Sequence, residues 1–174
     1  PGDANETAVA WKLAIETNDR PTVLVLSRQN VPTLDRGKFA SAEGTRRGAY
    51  VLLDAQGGIP DVIVIGTGAE TGLVAQAVEK LQAEGLKARA VSMPSWELFE
   101  AQDRTYRDSV LPPAVKKRLV VEAGCSQGWE RWLGDAGAML TVDRFGASAP
   151  GDLVLEKYGF TVDNVIAKAK MLLG

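Results

Sequence analysis

Four consecutive apolar residues, Val23, Leu24, Val25 and Leu26, run straight into the polar group Ser27, Arg28, Gln29 and Asn30. A run that is apolar at every position marks a strand buried on both faces, because alternation arises only where one face meets water. The segment Thr22 to Ser27 is therefore expected to be a core parallel strand. Open α/β sheets bind ligands beyond the carboxyl ends of such strands. Arg28 stands at that place, and its planar fork of donors suits a phosphate or a carboxylate. The plainer alternative is an ion pair between Arg28 and a neighbouring loop.

Similar segments recur downstream. Asp61 to Ile65, Lys87 to Met93, Arg118 to Val121 and Ala138 to Val142 read as core strands, and Tyr50 to Leu53 as a shorter one. Between them lie helical patterns. Leu73, Val74, Ala77, Val78 and Leu81 form one stripe, with Gly85 as the stop. Ser95 caps a short helix carrying Trp96 and Phe99, and Ser126 to Leu133 reads as another. Ser148 with Pro150 opens a further one. Thr161 caps the last helix, where Val162, Val165, Ile166, Ala169 and Leu172 keep the 3.6-residue period. Alternating strands and helices imply crossover connections and a mostly parallel sheet. The step from Tyr50–Leu53 to the next strand is too short for a helical crossover, so the first strand is placed antiparallel. The expected fold class is α/β: a three-layer α/β/α unit around a five-stranded sheet with one antiparallel strand.

The first residues do not belong to that regular pattern. Asp3 is positioned to cap a helix, with Glu6 three residues on as in a capping box. Ala8, Trp11 and Ile15 fall on one face, and Asn18-Asp19-Arg20-Pro21 stops the helix. One helix and one strand cannot make a domain. Residues 1–30 thus read as the end of an upstream sheet, 31–47 as an aperiodic interdomain linker with Pro32, Gly37 and Gly44, and 48–174 as the α/β domain.

Composition narrows the function classes. No histidine is present, which removes the commonest general base and metal ligand from this stretch. The single cysteine, Cys125, allows no internal disulfide, fits a reducing compartment, and is read as a small buried residue. A net charge of −2 with signs interspersed offers no stripe for nucleic acid. No apolar run approaches the roughly 18 residues of a membrane span, and the first ten residues lack the parts of a signal peptide. Pro1 is not an initiator methionine, so a trimmed or truncated chain is expected.

Three further places invite a functional reading, each with a structural competitor. Gly66-Thr67-Gly68-Ala69-Glu70-Thr71-Gly72 joins a strand to a helix, where backbone amides can cradle an anion. Glu70 would repel a phosphate, and no acidic residue follows the next strand, so tight strand-to-helix geometry accounts better for the glycines. Asp143-Arg144 is either a ligand edge or a locked loop, and the loop is preferred. Trp96, Phe99, Trp129 and Trp132 read as core or as surface meant for burial.

Certain strings carry a family resemblance. Leu26-Ser27-Arg28-Gln29-Asn30 resembles the segment of transketolases whose arginine holds the phosphate of the sugar substrate. Asp3-Ala4-Asn5-Glu6 with Ala8 to Lys12 precedes it. Arg47 to Leu52, Ala88 to Pro94, Tyr106 to Pro112, Phe145 to Pro150 and Gly159 to Val165 follow, all in the family's order. The chain resembles the last quarter of a transketolase: the end of the pyrimidine-binding domain, then the C-terminal domain.

That resemblance implies transfer of a two-carbon ketol unit from a ketose phosphate to an aldose phosphate. It further implies thiamine diphosphate and magnesium held by upstream residues, and a cytoplasmic homodimer. Arg28 carries over as the substrate-phosphate-binding residue, with Ser27 and Gln29 as neighbours that orient it. No catalytic, cofactor or metal residue carries over, so these residues alone are expected to be inactive. Alternatives are 1-deoxyxylulose 5-phosphate synthase, the decarboxylating component of 2-oxo acid dehydrogenases, or a stand-alone α/β module for dimerisation or regulation.

Overall fold

A computed structural model describes residues 1–174 in full. The sheet contains strands β1 (Tyr50–Leu53), β2 (Val62–Gly66), β3 (Ala88–Ser92), β4 (Arg118–Val121) and β5 (Ala138–Leu140). Their spatial order is β1-β3-β2-β4-β5. All neighbours are parallel except β1, which runs antiparallel to β3 with Tyr50 opposite Ser92.

Burial on both faces explains the unbroken apolar runs. Val62 and Val64 join one core with Leu119 and Val121, while Ile63 and Ile65 join a second with Val120. The period of two is present, but each side chain finds a core whichever way it points. Helices α2 (Glu70–Ala83) and α7 (Val162–Leu173) cover the first face through Val74, Val78, Val165 and Ile166. The second face carries α3 (Trp96–Glu100), α4 (Arg104–Val110) and α5 (Glu130–Leu133) through Phe99, Val110 and Trp132. Helix α6 (Gly151–Lys157) buries no residue. The caps fall where expected, Ser95 accepting from the Leu98 N–H and Thr161 from that of Asn164. Gly85 adopts φ +85°, the left-handed residue that lets the chain leave α2.

Two arginines at strand starts organise the connections. Arg89 reaches Asp54 at 2.8 Å and the carbonyls of Ser109 and Val110. Arg118 donates to four carbonyls, those of Val115, Trp132, Leu111 and Pro112. These bonds fix the non-repetitive turn after α4 from inside.

The amino-terminal region departs from expectation. Helix α1 (Ala4–Glu16) is capped by Asp3, which accepts from the Glu6 N–H at 2.8 Å. Its buried residues are Glu6, Val9 and Ala10, whereas Trp11 and Ile15 are 54% and 76% exposed. Thr22 to Ser27 forms neither strand nor helix. Val23 and Val25 are more than four-fifths exposed. A strand exists only by pairing with neighbours, and no other strand lies beside this one. The linker also holds more structure than its composition suggested: residues 42–47 form a 3-10 helix, and Phe39, Ala42 and Thr45 are buried.

Candidate functional site

The polar end of the exposed apolar segment and the carboxyl edge of the sheet are the two places with functional chemistry. At the first, Arg28 is exposed and forms none of the chain's ion pairs. The loop ion pair weighed against a ligand role is thus not made. Ser27, Gln29 and Asn30 line a groove of about 670 Å³ with Trp11 and Leu26. Gln29 rests on the start of α6, where a β-carbon on Gly151 would come within 2.9 Å of its Nε2. The Arg28 turn is therefore seated against the α/β unit while its guanidinium stays free.

A buried polar network holds α1 beside that unit. Glu6 is fully buried; its Oε1 accepts from the Tyr50 hydroxyl at 2.7 Å and the Ser92 hydroxyl at 2.6 Å, and its Oε2 from the Gly2 N–H at 2.6 Å. Asp3 accepts from Arg36 Nη2 at 2.7 Å and from the Leu34 N–H at 3.0 Å. Arg36 also donates to the Tyr50 hydroxyl at 3.0 Å. Burial, then the Glu6 carboxylate beside it, pushes the Tyr50 hydroxyl far above its ordinary range, so it stays a donor. Each carboxylate is met by several donors, the condition under which buried charge is tolerated. Sequence reasoning assigned Glu6 to a capping box. Its carboxylate instead reaches residues as far as 86 positions away, and no local pattern signals that.

At the carboxyl edge the chain leaves β2 towards α2 on one face and leaves β4 towards α5 on the other. A crevice opens where such connections diverge. Two carboxylates stand there. Glu70, at the first turn of α2, is buried; burial raises its carboxyl, while its own N–H and that of Ala123 counter this by donating to it. The helix terminus that could have held a phosphate is thus occupied by the protein's own acid. The glycines serve packing, since a β-carbon on Gly66 would lie 2.9 Å from Val74 Cγ2. Glu122 follows β4. Burial first, and Glu70 second, push its carboxyl up to about 7.

The remaining candidates are structural. Asp143 accepts from the Ser126 N–H and hydroxyl and from the Thr141 hydroxyl at 2.8–2.9 Å, and these bonds hold its carboxyl below the usual range. Arg144 lies 4.2 Å over the Tyr158 ring, with no Asp143–Arg144 ion pair. Phe99, Trp129 and Trp132 are buried and Trp96 half-buried. Cys125 is exposed, contrary to its reading as a buried residue, because it lies on the loop after β4 and not in the strand.

Comparison with known proteins accounts for the order of these features. The family model described as "Transketolase-like TK C-terminal domain" matches residues 48–161. Transketolase of Geobacillus stearothermophilus is 55% identical over all of this chain, and that of Nostoc sp. 54%, each match covering 26% of the relative. Transketolase from Leishmania mexicana superposes with a TM-score of 0.89 at 39% identity, over 99% of this chain and 24% of that one. A Pichia stipitis transketolase complex with sedoheptulose 7-phosphate gives 0.87 at 35% identity, with the same coverage. The chain thus spans about a quarter of the length of the relatives it matches.

Proposed function

The chain belongs to the transketolase family, whose C-terminal domain it contains, and from that premise we propose that it serves an enzyme moving a two-carbon ketol unit from a ketose phosphate to an aldose phosphate. In this reading residues 1–30 complete an upstream pyrimidine-binding domain, 31–47 cross between domains, and 48–174 form the C-terminal domain. The parent is a cytoplasmic homodimer.

Thiamine diphosphate, with magnesium on its diphosphate, supplies the electron sink for the carbanion when bound. These 174 residues do not suit that group: no three metal-ligating side chains cluster, and the crevice at the sheet's carboxyl edge is acidic. The cofactor's ligands are assigned to the upstream polypeptide, and these residues alone are inactive.

This chain's contribution is at Arg28. Its guanidinium holds the sugar's phosphate, far from the reacting carbonyl, so binding energy gained at one end of the substrate orients the other. Ser27 and Gln29 set the direction of the turn. The observation that carries this reading is the free, exposed guanidinium of Arg28, seated on α6 through Gln29. In the longer protein Arg28→Ala is expected to raise KM for phosphorylated donors about 10- to 100-fold, the worth of lost charge-assisted hydrogen bonds. Unphosphorylated donors should keep their KM. Equal losses for both donor types would remove Arg28 from that role.

A further inference from the structure

Residues 28–34 contain no helix or strand, so something outside this stretch must set where the Arg28 guanidinium points. Two glycines of the α/β unit meet it. A β-carbon on Gly151, the first residue of α6, would lie 2.9 Å from Gln29 Nε2 and 3.5 Å from its Cγ. One on Gly72, in the first turn of α2, would lie 3.3 Å from Pro32 Cγ and 3.8 Å from its Cδ, with nothing else within 4 Å. Beyond Pro32 the chain is held again, the Leu34 N–H donating to Asp3 Oδ2 at 3.0 Å.

The two seats differ in stiffness. Gly72 is buried in α2, whose Val74 and Val78 are wholly buried, and the proline ring it meets cannot swing aside. Gly151 opens a helix that buries no residue, and it meets the free end of a flexible side chain. Helix α6 is steadied at its other end, where the Tyr158 hydroxyl donates to the Phe145 carbonyl at 3.1 Å and Arg144 lies over the same ring. The superposition on the much longer Leishmania mexicana transketolase takes in 99% of this chain, so the stretch and the α/β unit keep one arrangement in a relative.

We propose that Gly72 and Gly151 are positioning residues for the phosphate end of the substrate, a role that rests on the reading of Arg28 above. By leaving room for Pro32 and Gln29, the α/β unit sets the place from which Arg28 reaches the phosphate. A methyl group added to Gly72 would press on Pro32 and displace the linker by a few tenths of an ångström. A guanidinium–phosphate fork is sensitive to such a displacement. The same methyl group would favour the helix, since alanine is a better helix former than glycine. Misplacement of Arg28 and loss of fold are thereby separable.

The test compares donor kinetics of Gly72→Ala and Gly151→Ala in the longer protein, with xylulose 5-phosphate and unphosphorylated xylulose as donors and ribose 5-phosphate saturating. Gly72→Ala should raise KM for xylulose 5-phosphate about three- to tenfold and Gly151→Ala about twofold, as befits shifts well below an ångström. The kcat and the KM for xylulose should hold, and the melting temperature should not drop. In an Arg28→Ala background neither substitution should add a further loss. Unchanged KM for both donors in Gly72→Ala, an equal rise for both, a rise that comes with a lower melting temperature, or a further loss in the Arg28→Ala background overturns the proposal. If Arg28→Ala alone fails to separate the two donors, the phosphate role of Arg28 falls and this inference with it. If it separates them and Gly72→Ala does not, only this inference falls.

Discussion

Val23–Leu26 and Val62–Ile65 are the same kind of text, four apolar residues in a row, and they end in opposite environments. The second is wholly buried between two helical layers; the first is largely exposed, with Val23 82% and Val25 81% exposed. The neighbours differ. Strand β2 has β3 on one side and β4 on the other, and Thr22–Ser27 has no strand beside it. An apolar run states what a segment needs, and only the rest of the sheet can supply it. The exposed stripe of Trp11 and Ile15 on α1 makes the same statement from the adjoining helix.

The contrast can be tested by substitution, beginning with the largest effect. Ile63→Ala empties a fully buried site and is expected to cost about 3–4 kcal/mol, measured by chemical denaturation of this chain. A cost below 1 kcal/mol would mean the sheet is less well packed than its burial indicates. Glu6→Gln should follow at about 2–3 kcal/mol, because an amide cannot accept both from the Gly2 N–H and from the Tyr50 and Ser92 hydroxyls. Hydrogen exchange should then show α1 losing protection while β2 keeps it. Simultaneous loss in both would show that the two regions unfold as one.

Acidity sharpens the comparison further. Glu122 has a folded-state value raised to about 7 from an ordinary 4.5, so the folded chain holds an extra proton between those values. The stability this confers is complete below 4.5 and is lost as pH rises through 7. After allowance for solvent screening, about 1–2 kcal/mol should separate pH 5 from pH 8. Glu122→Gln should flatten that slope; an unchanged slope would assign it to another group, Glu70 first. The smallest effect belongs to the exposed run. Val25→Thr should change this chain's stability by less than about 0.5 kcal/mol. In the longer protein the same substitution should be clearly destabilising, on the proposal that the run completes an upstream sheet there.

Legibility followed sequence separation. The strands of the α/β unit, the caps Asp3, Ser95 and Thr161, and the stop at Gly85 depend on neighbours a few residues away, and each could be read. Helix α4 was not read: its cap, Asp103 accepting from the Tyr106 N–H, is followed by only Tyr106 and Val110 as an apolar pair, too little to establish a period. The 3-10 helix in the linker hid for the same reason, its buried Ala42 and Thr45 being three residues apart. The network of Glu6, Tyr50 and Ser92 joins residues up to 86 positions apart and has no local trace. Arg28 was legible as a candidate because its motif is contiguous. The pairing of Glu70 with Glu122 was not, because it is assembled from loops that meet only where the topology turns back on itself.

The central claim is that these residues complete a site they cannot form alone. It is tested most directly by ketol transfer from xylulose 5-phosphate to ribose 5-phosphate with thiamine diphosphate and magnesium, comparing this chain, the longer protein proposed above, and this chain mixed with the upstream part of that protein. The account predicts transfer by the longer protein, none by the chain alone, and recovery in the mixture wherever the two parts associate. Transfer by the chain alone, or none by the longer protein, would contradict it.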